Sequence, residues 1–229
     1  MRKLAANPLF LGGTGAMMAT AKLWLLVPVL VLFGCAGKQD YVRPTTTPTA
    51  TSNSKVIEKP RDTVWNGAVP ALEKQFFVIN NMDKASGLIN ISYTGDPKRY
   101  IDCGQVSAYV KNAREERTYD FPGAAASKTY ELTLPQGLFR IDRKMVLEAR
   151  MNLVFEELTP SSTRVTATTR YVVTRTMRVT DVNNRSNTLT DTISFSSRAG
   201  ASFPAHKDGR ATECVPTGLF ETEVLSLSN

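Results

Sequence analysis

Apolar and polar residues alternate most regularly over the middle of the chain. Leu147, Ala149, Met151, Leu153 and Phe155 fall on one side of a two-residue repeat. After Thr159-Pro160-Ser161-Ser162, a second repeat places Val165, Ala167, Tyr171, Val173, Met177 and Val179 together. A period of two is that of an extended strand, so the two runs predict a long antiparallel hairpin with one covered face. The other side of the same repeat carries Glu148, Arg150, Glu156, Thr166, Thr168, Arg170 and Thr174. Its arginines invite a ligand-groove interpretation, but mixed charge and threonine are what a solvated sheet face carries, and cross-strand ion pairs there contribute little.

Shorter patterns surround this hairpin. Asp62 and Thr63 can cap a helix whose apolar positions Val64, Trp65, Ala68, Val69 and Leu72 recur at helical spacing. An interior proline costs about 3 kcal/mol in a helix, so Pro70 predicts a kink near Val69 or two short turns. Phe76 to Asn80 and Leu88 to Tyr93 read as strands around a turn from Met82 to Gly87. Val106, Ala108 and Val110 alternate, as do Tyr130, Leu132 and Leu134, with a small-residue loop around Pro122 to Ser127 between them. Asp181 to Asn187 makes a turn, Leu189 to Phe195 a further strand, and Leu219 to Leu227 a last amphipathic helix. The fold expected is α+β and mostly antiparallel β, a sheet with an N-terminal and a C-terminal helix packed on one face.

The N-terminus has a different character. Leu23 to Phe33, LWLLVPVLVLF, is an apolar run of about eleven residues, too short for the roughly 20 that span a bilayer, and Lys22 precedes it. This is a signal-peptide pattern, with Met17 or Met18 giving a conventional start. The junction Leu32-Phe33-Gly34-Cys35 resembles the lipobox of bacterial lipoproteins, with Phe33 larger than is usual at its position. That resemblance implies cleavage before Cys35, lipidation of its sulfur and, because Ala36 rather than Asp follows, an outer-membrane address facing the periplasm. The expected organisation is a signal peptide over 1–34, a lipidated cysteine with a flexible Thr, Ser and Pro-rich linker over 35–60, and one periplasmic domain over 61–229.

Composition narrows the function classes. Of 229 residues 42% are hydrophobic and 21% charged, an ordinary globular balance. The net charge of +7 includes Arg2, Lys3 and Lys22; setting those three aside leaves +4, with no cluster of basic and aromatic residues that would argue for nucleic acid. With Cys35 taken by lipid, Cys103 and Cys214 remain as an even pair in an exported chain, which reads as a disulfide, two free thiols or a metal pair being the alternatives. His206 is the sole histidine and there is no Cys-x-x-Cys, so a metal is poorly served. Asp96, Asp102, Glu115 and Glu116 can be drawn as paired carboxylates, but nothing places them across a cleft. No dinucleotide or phosphate loop is present, and no enzyme, cofactor or metal is expected.

The stretch from Asp62 to Gly104, with Val64-Trp65, Leu72-Glu73, Gly87-Leu88-Ile89 and Tyr100-Ile101-Asp102-Cys103-Gly104, resembles the helix-grip repeat of BamC-like envelope lipoproteins. What this implies is a fold more than a role, and no functional residues carry over. The function expected is a non-catalytic scaffold or interaction module, held to the membrane by its lipid and engaging an envelope protein. The alternative is a small apolar or cell-wall ligand held between helix and sheet.

Overall fold

A computed structural model describes residues 36–47, 53–111, 114–205 and 211–228. In chain order the strands are β1 (Ala36–Val42), β2 (Ser54–Ile57), β3 (Val78–Asp83), β4 (Leu88–Gly95), β5 (Ile101–Asp102), β6 (Gln105–Lys111), β7 (Glu116–Pro122), β8 (Ser127–Leu134), β9 (Gly137–Thr159), β10 (Ser162–Asp181), β11 (Ser186–Ser196), β12 (Ala201–Phe203) and β13 (Thr212–Pro216). The helices are α1 (Arg61–Glu73) and α2 (Leu219–Ser226).

The α+β class expected from the sequence is corrected: 61% of the described residues are strand and 13% helical. The surplus of strand comes from polar segments with no apolar alternation, such as AGKQDYV in β1 and ERTYDFP in β7. Their conformation comes from backbone pairing to β6 along seven registered positions on each side, which no local pattern announces. Within the linker expected over 35–60 the described residues include β1 and β2, the latter paired to β10. Between them the backbone N–H groups of Thr45 and Thr46 donate to the Asp102 carboxylate at 3.3 and 3.4 Å.

β9 and β10 form the spine of the molecule, an antiparallel hairpin of 23 and 20 residues closed at Pro160-Ser161. Each long strand serves two neighbours in succession. The first half of β9 pairs with β8 and the second with β4, while β10 pairs first with β2 and then with β11. The resulting seven-stranded sheet has β3 and β11 at its edges. Its inner face, made of the odd-numbered positions of β9 and β10, supports two separate cores. In the first, Val64, Trp65, Ala68 and Leu72 of α1 and Phe220 and Val224 of α2 pack on Leu147, Met151, Phe155, Tyr171 and Val173. In the second, Val106, Ala108 and Phe121 pack on Tyr130, Leu132, Ile141 and Met177.

α1 is one continuous helix, not the two short turns that are one reading of Pro70. Pro70 and Asn66, whose carbonyl it leaves without an intrahelical donor, both lie on the exposed side, where water takes the carbonyl. The helix begins at Arg61 after Pro60, so Asp62 sits in its first turn and complements the helix dipole instead of capping it. Cys103 and Cys214 are joined by a disulfide that bridges 111 positions. It fastens the end of β5 to β13, which are also paired through Asp102 and Val215. Closing a loop of that length restricts the unfolded chain by about 5 kcal/mol in the entropy model.

Candidate functional site

The outer face of the seven-stranded sheet is made of the even-numbered residues of β9 and β10, and register places them in rows across the strands. One row reads Ser92, Arg150, Arg170, Ser196. On one side of it lie Asn90, Asn152 and Thr168; on the other, Thr94, Glu148, Val172 and Ser194. Part of these rows floors an open depression of about 500 Å³, lined by Asn90, Arg150, Asn152, Thr168, Arg170 and Ser196 among others.

Arg150 and Arg170 stand directly opposite each other. Like charges in that position repel, and neighbouring strands normally answer them with a carboxylate. Neither guanidinium makes a hydrogen bond or ion pair with the described residues, and Glu148 beside them makes none either. Elsewhere on the same face the expectation of a self-satisfied, solvated surface holds. Arg164 meets Glu156 at 3.2 Å, and Thr174 and Thr192 share a hydrogen bond at 3.1 Å. The amides beside the arginine row are also held: Asn80 donates to Asn90, which donates to Asn152 at 2.7 Å. The arginine row therefore differs from its surroundings. Ten N–H donors face solvent on a floor whose other polar groups are already oriented.

No family model matches the chain, nor does any curated protein or solved structure. Its site is therefore argued from its own geometry.

The other residues singled out in the sequence have structural tasks or lie elsewhere. Cys35 and His206 lie outside the described residues. Cys103 and Cys214 are the disulfide. Asp96 accepts from the backbone of Lys98 and starts a single 3-10 turn, and Asp102 accepts from the backbone of Gly104. Glu115 pairs with Arg117, while Glu116 takes Tyr109 and Lys111. These carboxylates are not brought across a cleft. Among the described residues no three His, Cys, Asp or Glu side chains gather as a metal site, and no helix is long and apolar enough to cross a membrane. The interval between α1 and the sheet is occupied by side chains, with Trp65 edge-on to Phe155 at 5.2 Å.

Two arginines on the inner face were not singled out from the sequence. Arg143 and Arg175 occupy odd positions, among the apolar residues of the repeat, and register makes them diagonal neighbours because Arg143 pairs with Met177 and Met145 with Arg175. They are 3% and 5% exposed and lie between the two cores. The signal was present: Arg175 interrupts the run from Val173 to Met177 at a position where an apolar residue is due.

Proposed function

We propose that this chain is a non-catalytic interaction module of the bacterial cell envelope, lipid-anchored through Cys35 at the outer membrane, that docks an acidic protein surface on the outer face of its long hairpin. The observation that carries the docking face is the Arg150–Arg170 pair, opposed across two strands with no hydrogen bond or ion pair to the described residues and set in the floor of an open depression. A partner's carboxylates would relieve the repulsion and accept paired guanidinium hydrogen bonds, the strong form of the interaction. The apolar run before Gly34-Cys35 supports the anchor, and an exported location agrees with the disulfide. The helix-grip resemblance of residues 62–104 supports a place among BamC-like envelope lipoproteins, in which α1 rests on the sheet just ahead of β3 and β4. A small ligand between helix and sheet gains no support, because side chains fill that interval.

Two comparisons in crosslinked cells test this reading. Replacing Cys35 with Ser is expected to release the protein from the membrane fraction; unchanged association would overturn the anchor. Reversing charge at both Arg150 and Arg170 with Glu is expected to remove specific protein adducts that the wild type captures, with the thermal midpoint preserved. An adduct pattern identical to the wild type would overturn the docking face.

A further inference from the structure

Between the two cores the inner face carries more buried positive charge than the surrounding protein neutralises. Arg175 is well provided for: its guanidinium meets Asp191 at 2.8 Å, donates to the Pro204 carbonyl at 3.2 Å and lies 4.5 Å from the Phe203 ring centroid. Arg143 is not. It lies 5.1 Å from the Phe121 ring centroid, and its one hydrogen bond goes to the Pro122 carbonyl at 3.5 Å, the long limit of such a contact. Among the described residues no carboxylate pairs with it, and the Nε atoms of both arginines lack an acceptor.

Among the described residues, the other cation near this point, Lys128 at 6.0 Å from the Phe121 ring, adds to the positive charge. Burial, reinforced by the charge of Arg175, pulls the Arg143 pKa down to about 10, so at neutral pH the group is still a cation. Of the two buried guanidiniums, Arg175 thus has a carboxylate among the described residues and Arg143 has none. Buried charge is ordinarily paired, because an isolated ion gives up its hydration for nothing.

We infer that Arg143 and Arg175 form a buried site for a single oxyanion group, a carboxylate or a phosphate, at the junction of the two cores. The guanidinium fork matches either group through two parallel N–H bonds. Solvent lies close by: Pro122 is half-buried and Pro204 exposed, and these two segments flank the arginines. The aromatic rings of Phe121 and Phe203 hold the two forks in place, so the donors are oriented before the anion arrives. This site is on the opposite face of the sheet from Arg150 and Arg170 and is independent of the docking proposal.

Thermal unfolding of the full chain in detergent at pH 7 tests the inference, with inorganic phosphate and, separately, acetate set against chloride at equal ionic strength. Phosphate or acetate is expected to raise Tm saturably, by roughly 3–6 °C at about ten times its Kd, and whichever acts identifies the oxyanion class. Arg143→Met is expected to abolish that rise, and Arg150→Ala with Arg170→Ala to keep it. If Arg143→Met does not fold, Arg143→Lys keeps the charge without the fork and is expected to weaken the apparent affinity at least about fivefold. Equal Tm in all three salts overturns the inference. So does a rise that survives Arg143→Met, an affinity unchanged in Arg143→Lys, or a rise that disappears with the outer-face pair.

Discussion

β9 and β10 carry two arginine pairs that the parity of the strand sends to opposite sides. Arg143 and Arg175, at odd positions, point into the molecule, where rings and backbone carbonyls enclose them and Asp191 pairs with Arg175. Arg150 and Arg170, at even positions, point outward and make no hydrogen bond or ion pair with the described residues. Side-chain chemistry and strand are the same in each case. What differs is the medium: inside, a guanidinium contributes to or subtracts from folding stability, whereas outside it costs folding almost nothing and is left available to a partner.

The largest effect should come from breaking the paired inner arginine. Arg175→Ala leaves Asp191 nearly buried without its cation and is expected to cost about 3–5 kcal/mol in urea unfolding. Next is a neighbour on the same inner face. Tyr171 donates to both oxygens of the buried Glu221 at 2.8 Å, tying α2 to β10. Tyr171→Phe strands that carboxylate and is expected to cost about 2–3 kcal/mol. The same contact gives a pH signature. Burial first, then the Glu221 charge and hydrogen bond, raise the Tyr171 pKa above its usual 10. The folded state therefore holds this proton more tightly than the unfolded one, and the stability it contributes is complete below pH 10 and falls as pH rises beyond it. Alkaline denaturation should be shallower in Tyr171→Phe relative to its own neutral stability.

Arg143→Met sharpens the contrast within the inner pair. It replaces an unneutralised buried cation by an apolar chain of similar reach, and in chloride it is expected to be neutral or to stabilise by about 1 kcal/mol. The smallest folding effect belongs to the outer pair: Arg150→Ala and Arg170→Ala should each stay within about 0.5 kcal/mol of the wild type. A loss above 2 kcal/mol there would mean that the outer arginines hold the fold, and the distinction between faces would fail.

How much of this was legible depended on whether burial was written into the local pattern. The β9–β10 hairpin and its two faces follow directly from the alternation of residues 147–179, because one side is covered by α1 and α2 along most of its length. α2 was placed to within a residue, since Phe220, Val224 and Leu225 are its buried side. β1 and β2 were hidden because polar edge segments such as Lys38 to Asp40 become strands through partners more than 60 positions away; β7 pairs with the adjacent β6, and its charged start from Glu116 to Thr118 carries no apolar position to announce it. The outer residues were named from the sequence, yet as a solvated surface. Only register shows that Arg150 faces Arg170 and not Glu148 or Glu156.

A photo-crosslinking side chain placed at Thr168 or Ser194, beside the arginine row, tests the central claim most directly when compared with the same group at Thr188 on the far part of β11. In growing cells the account predicts a discrete protein adduct from the first two positions, absent from Thr188 and lost when Arg150 and Arg170 are both changed to Glu. Equal labelling at all three positions, or an adduct indifferent to the two arginines, would contradict it.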